Sequence, residues 1–153
     1  MLISNEWLKD YVNVDQSVQA LAERITRTGI EVDDIIDYTK DIKKLVVGHV
    51  LSKTPHPDAD KLNICQVDLG EEEPVQIVCG APNVDEGQHV IVAKVGGRLP
   101  GGIKIKRAKL RGERSEGMIC SLQEIGISSH VTPKNYESGI YVFPEAVKPG
   151  TDA

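Results

Sequence analysis

Residues 45–70 read LVVGHVLSKTPHPDADKLNICQVDLG, two apolar runs separated by a turn rich in Pro and Asp. Short stretches of Val, Ile and Leu punctuated by Gly, Pro and Asp have the composition of β-strands joined by tight turns. Pro55 and Pro57 hold the approach to the turn extended. Asp58 and Asp60 suit the turn itself, through Asx-type bonds to the following amides. Lys61 then starts the second strand, and Leu62 opens its buried set. The same punctuation continues downstream. Candidate strands are 45–54, 62–70, 74–80, 89–96, 103–111, 116–121 and 139–143, with LGEEEP, APNVDEGQ and GGRLPGG between them. Short strands this close together predict a small barrel or sandwich, not an alternation of strands and helices. The one helical candidate in this part is SLQEIGI, starting at Ser121.

The first 38 residues read differently. SNEWLKDYV predicts a short helix capped by Ser4 or Asn5, with Trp7, Leu8 and Tyr11 on one side. Residues 15–29 predict a clearer helix. Asp15 or Ser17 caps it, Val18, Leu21, Ala22 and Ile25 follow helical spacing, and Gly29 fits its C-terminal stop. IEVDDIIDY is partly alternating and is a candidate strand. The expected organisation is a small α/β segment over 1–38 and a mainly β unit over 39–153.

No apolar run approaches the roughly 18 residues of a membrane span. MLISNEWLKDYV lacks the cationic leader, apolar stretch and cleavage site of a secretory signal. Cys65, Cys79 and Cys120 each sit in an apolar stretch and are expected as small buried side chains in a reducing compartment. None forms a C-x-x-C pair, and His49, His56, His89 and His130 pair with nothing in sequence, so no metal site is expected.

The charge is unevenly spread. KIKRAKLRGERSEGMIC spans residues 104–120. Its first eleven residues carry Lys104, Lys106, Arg107, Lys109, Arg111 and Arg114 against one acid, Glu113, in a chain of net charge −5. Ile103 and Ile105 alternate with lysines. Past Arg107, Ala108 and Leu110 alternate with Lys109 and Arg111 in the opposite parity. One strand keeps both apolar pairs on a common core only with a bulge or bend near Lys106–Arg107. Cations every second residue lie roughly 7 Å apart, a spacing that suits backbone phosphates. Three of the six are arginines, which fork onto phosphate oxygens. The competing reading is a solvated face that protects a strand edge.

Between Tyr38 and Tyr136 there is no Phe, Tyr or Trp. Single-strand binders stack bases on aromatic platforms, so this pattern points to recognition of backbone shape and charge in folded or double-helical RNA. No catalytic constellation emerges. His56, Asp58 and Asp60 read as turn residues, and Ser115 lacks a G-x-S-x-G elbow. VGGRLPGG lacks the strand–loop–helix context of a phosphate loop and reads as a mobile hairpin that lays Arg98 beside the basic strand. Asn83 in CGAPNV either faces a ligand or bonds the loop's own backbone.

HPDADKLNICQVDLG, IVCGAPNV and KIKRAKLRGERSEGMICS resemble the tRNA-binding domain family shared by several synthetase-associated proteins. With MLISNEWLKDYV, TGIEVDDI and GGRLPGG added, the whole chain is similar to the N-terminal part of the β-subunit family of bacterial phenylalanine–tRNA ligases (phenylalanyl-tRNA synthetases). The resemblance implies a five-stranded OB-fold barrel over 39–153 and a discontinuous first domain, of which 1–38 is one piece, in a longer subunit. It implies ATP-dependent attachment of phenylalanine to tRNA, with magnesium, in an assembly of two α and two β subunits. The ATP and phenylalanine sites would belong to the α subunit, and this stretch would bind no cofactor and catalyse nothing. The implied partners are phenylalanine-specific tRNA and the α subunit, with no membrane, in the cytoplasm.

Lys61 stands where the family motif has its lysine after Asp-Ala-Asp. Lys106, Arg107, Lys109 and Arg111 fall on the basic strand before the family's Gly, and Ser115, Gly117 and Met118 match its Ser-x-Gly-Met. Glu113 and Arg114 depart from the Val-Glu of many relatives. The candidate nucleic-acid contacts are therefore Lys61, Arg98, Lys104, Lys106, Arg107, Lys109, Arg111 and Ser115, with Gly117 and Met118 serving the fold. The alternative is a structural OB module that packs against other synthetase domains or subunits.

Overall fold

In the computed structural model, which describes residues 1–153, the chain separates into two units, Met1–Tyr38 and Thr39–Ala153. In the first, α1 (Asn5–Lys9) is capped by Ser4, whose Oγ accepts from the Trp7 amide at 3.3 Å. Helix α2 (Val18–Arg27) is capped in the same way by Ser17, which accepts from the Ala20 amide at 3.3 Å. Leu21 and Ile25 are half-buried, no residue of either helix is fully buried, and Trp7 is 75% exposed. Thirty-eight residues offer too little apolar surface to close a core. The expected strand IEVDDIIDY does not form. A strand needs a neighbouring edge to satisfy its backbone, and this unit has none.

The second unit is antiparallel β. Its elements are β1 (Lys43–His56), β2 (Ala59–Asp68), β3 (Val75–Cys79), β4 (His89–Leu99), β5 (Ile103–Lys104), β6 (Ala108–Leu110), β7 (Glu113–Ser115) and β8 (Met118–Ile119). The main sheet runs β3-β2-β1-β4-β5, with β8 also on β4, and β6 and β7 form a separate hairpin. β1 shifts register past Lys43 against β4 and past Val50 against β2, so its two halves serve different neighbours. Gly48 lies where β1 is tightly flanked. A Cβ there would come within 2.7 Å of both Val67 Cγ1 and Val92 Cγ2.

The sheet closes without a full ladder. β8 pairs with β4 through Val92–Ile119, and just before it the Glu116 amide donates to the Gln76 carbonyl of β3 at 2.8 Å. The Val78 amide donates to Ser115 Oγ at 3.1 Å beside it. Inside, Val50, Cys65, Val67, Ile77, Val90, Val92 and Ile119 form one core. Ile77 is fully buried, and truncating it to Ala would cost about 2–5 kcal/mol. The opposite face of β4 is also buried. Leu45, Ile91, Ala93, Leu99, Ile105, Cys120 and Leu122 form a second core there, covered by Tyr136, Tyr141 and Phe143. Those three rings contact one another at centroid distances of 4.9 and 5.1 Å. Half of the chain's six aromatic side chains thus serve packing.

Residues 150–153 cover the part of β1 that β2 does not reach. The Gly150 amide donates to the Val47 carbonyl and the Val47 amide to the Thr151 carbonyl, each at 2.8 Å, and the Ala153 amide reaches the Leu45 carbonyl at 3.3 Å. This caps an otherwise open strand edge.

Three further expectations are corrected. Residues 103–111 are not one strand: the ladder breaks at 105–107, so the parity change is met by separating β5 from β6. Only Ile105 of that run is buried, while Ile103 and Leu110 are 56% and 40% exposed. SLQEIGI forms a turn, not a helix. Ser121 and Glu124 make the reciprocal bonds of a helix start, but Gly126 follows at φ +90° and the Ile127 amide closes back onto the Leu122 carbonyl at 2.9 Å. Residues 139–143 contribute one β-bridge, Val90–Val142, in place of a strand.

Candidate nucleic-acid interface

The β1–β2 turn has Pro57 and Asp58 at its tip, with His56 opposite Ala59. His56, not an aspartate, organises it. Its Nδ1 accepts from the Asp58 amide at 3.0 Å, which leaves Nε2 protonated to donate to the Leu110 carbonyl at 3.0 Å. The side chain is 5% exposed. The turn that precedes Lys61 is thereby fastened to the hairpin β6–β7.

That hairpin turns through Arg111 at φ +48° and Gly112 at φ +96°. Leu110 pairs with Glu113, so this is a two-residue loop with both central residues left-handed, the geometry that matches strand twist. Gly adopts it freely and Arg does not. Register sets Lys109 opposite Arg114 on one face of the hairpin, and Leu110 and Ala108 on the other. The inner face borders a cleft of about 740 Å³ with an apolar floor that includes Pro82, Ile105, Met118 and Ile140. Lys104 and Lys106 stand on its rim. Cys79 also lines it, and burial raises its thiol above the ordinary value, so it is held protonated.

Lys61, Arg98, Lys104, Lys106, Arg107, Lys109 and Arg111 are all exposed. They do not form the single outward row expected of one strand. Lys104 and Lys106 occupy the cleft rim, Arg111 the hairpin tip and Lys109 its outer face. Arg107 is engaged by Glu116, Nε to Oε1 3.1 Å. The others take part in none of the chain's ion pairs. Lys53 and Lys94, by contrast, are matched to Asp85 and Glu71.

Ser115 is a correction. It is 3% exposed, accepts from Val78 and donates to the Gly117 carbonyl at 3.1 Å, so its hydroxyl closes the sheet and does not reach the surface. Met118 packs against the second core. A Cβ on Gly117 would sit 3.0 Å from the Ala93 carbonyl oxygen, so both residues serve the fold. The GGRLPGG stretch is the end of β4 followed by the Pro100–Gly102 turn into β5, and it sets Arg98 directly opposite Lys104. Asn83 bonds backbone, but of Ile140: its Nδ2 donates to the Ile140 carbonyl at 2.8 Å and its Oδ1 accepts from the Ile140 amide at 2.9 Å. Arg114 belongs to the same cluster of cations but not to the candidate contacts expected from sequence. The Arg-Gly dipeptide was its signal, since a two-residue turn there brings Lys109 and Arg114 together.

A family model described as "Putative tRNA binding domain" matches residues 45–152. The chain is 99% identical over 153 residues to a phenylalanine–tRNA ligase beta subunit of Staphylococcus epidermidis, and 84% identical over the same length to one of Staphylococcus aureus. It spans 19% of the length of each of these relatives. A crystal structure of a MetRS-related protein from Pyrococcus horikoshii matches with a TM-score of 0.51 at 22% identity, over 81% of this chain and 99% of that one. That likeness shows the fold.

Proposed function

This chain belongs to the tRNA-binding domain family, and from that premise we propose that residues 39–153 are the non-catalytic tRNA-binding module of a phenylalanine–tRNA ligase β subunit. The observation that carries the proposal is the set of exposed, unpaired cations around the β6–β7 hairpin and cleft rim: Lys104, Lys106, Lys109, Arg111 and Arg114. Lys61 and Arg98 extend it. No aromatic side chain lines the cleft, which favours contact with sugar–phosphate backbone over stacked bases.

The complete enzyme would join phenylalanine to its tRNA in the cytoplasm, using ATP and magnesium, with the α subunit holding the reacting groups. Residues 1–38 would be one piece of a discontinuous domain of the β subunit. No group of three or more His, Cys, Asp or Glu side chains is arranged to hold a metal ion in this chain, so no magnesium step is assigned to it. No helix is long and apolar enough to cross a membrane.

The test is binding of phenylalanine-specific tRNA across a salt series. With about four or five phosphates neutralised, log K should fall against log salt with a slope of roughly −3 to −5. A slope near zero, or no binding at low salt, overturns the proposal. In the assembled enzyme, replacing Lys106, Lys109, Arg111 and Arg114 by Ala should reduce charging with assembly intact. Loss of assembly would instead mark a scaffold that meets protein carboxylates.

A further inference from the structure

Three cations stand side by side across the sheet. Lys43 of β1 faces Arg98 of β4, which on its other side faces Lys104 of β5. Directly opposed residues share a face, and adjacent strands lie about 4.8 Å apart. All three are exposed, and none belongs to an ion pair. Like charges set opposite one another destabilise a sheet. The acids of the chain's five ion pairs, Glu6, Glu23, Asp85, Glu71 and Glu116, all pair with other cations.

The row depends on an irregular ladder. From His49–His89 to Leu45–Ala93 the pairing of β1 with β4 is regular. Continued without a shift, it would set Lys43 opposite Val95. Instead residues 94–97 bulge out against the single residue Lys44, and Lys43 meets Arg98. The bulge has visible requirements. Lys44 adopts φ +59°, one of only two non-glycine residues with positive φ, the other being Arg111. A Cβ on Gly97 would lie 2.8 Å from the carbonyl oxygens of both Lys43 and Lys94. Strained backbone and a tailored glycine thus bring a third cation into line, where the regular ladder would have set a neutral valine beside Lys43.

We propose that Lys43, Arg98 and Lys104 form a phosphate-binding track that carries the tRNA backbone from the cleft rim across the sheet to β1. Lys104 belongs to both surfaces, since it also stands on the cleft rim beside Lys106. The inference rests on the tRNA-binding reading and adds to it Lys43, which nothing in the local sequence marks. An RNA strand occupies the track because its phosphates relieve the mutual repulsion of the row, and Arg98 forks onto them.

Lys43→Glu separates this inference from the reading beneath it. In the free chain at low salt it should raise the unfolding midpoint, because a Glu–Arg98–Lys104 arrangement replaces repulsion with attraction, and the gain should fade in high salt. In tRNA binding it should weaken affinity roughly five- to tenfold near 0.1 M salt and make the salt slope less negative by about 1. Lys109→Gln/Arg114→Gln is the companion, since it tests the hairpin alone. If the parent chain binds tRNA and the hairpin variant weakens binding while Lys43→Glu leaves it unchanged, the track is overturned and the tRNA-binding reading stands. If the parent chain binds no tRNA at low salt, both fall. If Lys43→Glu gives no stabilisation, the row carries no repulsion for phosphates to relieve, and the inference fails on that ground.

Discussion

His56 Nε2 donates to the Leu110 carbonyl across 54 residues of sequence, at 3.0 Å, while its Nδ1 accepts from Asp58. One neutral imidazole therefore fixes the position of the basic hairpin relative to the turn before Lys61. His56→Ala should destabilise the unit by about 1–3 kcal/mol, because buried partners are left unsatisfied. It should also speed hydrogen exchange of the hairpin amides. Gln reproduces the reach of Nε2 and Asn that of Nδ1, so His56→Gln should retain slow hairpin exchange better than His56→Asn. Equal exchange in all three variants would remove His56 from this role.

The Arg111–Gly112 turn separates stability from binding. Asn tolerates positive φ, so Arg111→Asn should keep or raise the thermal midpoint, with relief of about 1 kcal/mol. The same change should weaken tRNA binding through loss of a cation. Gly112→Ala should lower the midpoint with the charge unaltered. Thermal unfolding and a binding isotherm on each variant check the two signs independently.

Asn83 holds Ile140 by both polar atoms of its amide, and a Cβ on Gly139 would fall 2.2 Å from Asn83 Oδ1. Asn83→Ala and Gly139→Ala should each cost roughly 2–3 kcal/mol, the first through lost bonds and the second through clash at φ +105°. Because the damage is shared, the double variant should fall short of the sum by at least about 0.5 kcal/mol. Strict additivity in a denaturant cycle would mean that the two residues do not act on one another.

His89 stacks on His49 with ring centroids 4.5 Å apart. Burial first, and then the neighbouring His49, lower its pKa from the ordinary 6.5. The folded form thus binds fewer protons than the unfolded chain. The resulting stability is fully present above about pH 6.5 and is lost as pH falls toward and through the depressed folded value. His49→Gln should move the His89 titration upward when followed by NMR, and should flatten the decline of stability on acidification. An unmoved titration would assign the whole shift to burial.

What the sequence made legible was local. Strands β1 to β4 announced themselves as apolar runs between Gly, Pro and Asp. Ser4 and Ser17 were readable as caps because a cap acts within three residues of itself. The buried cysteines followed from their apolar neighbours. What stayed hidden was long-range. The three-residue shift that brings Lys43 to Arg98, the reach of His56 to Leu110 and that of Asn83 to Ile140 all depend on how distant strands meet. Burial of Ser115 is not legible in its motif, because a motif carries residue identity but not exposure. The division of the basic run into β5 and β6 is hidden too, because alternation alone does not reveal which neighbour each half will pair with.

The strap formed by residues 150–153 lies along the opening residues of β1, with Ala153 bonded to Leu45. Bonded there by residues 150–153, that side of β1 has no free ladder to offer, so a second extended chain joins it at Leu45–Val47 only by first displacing the strap.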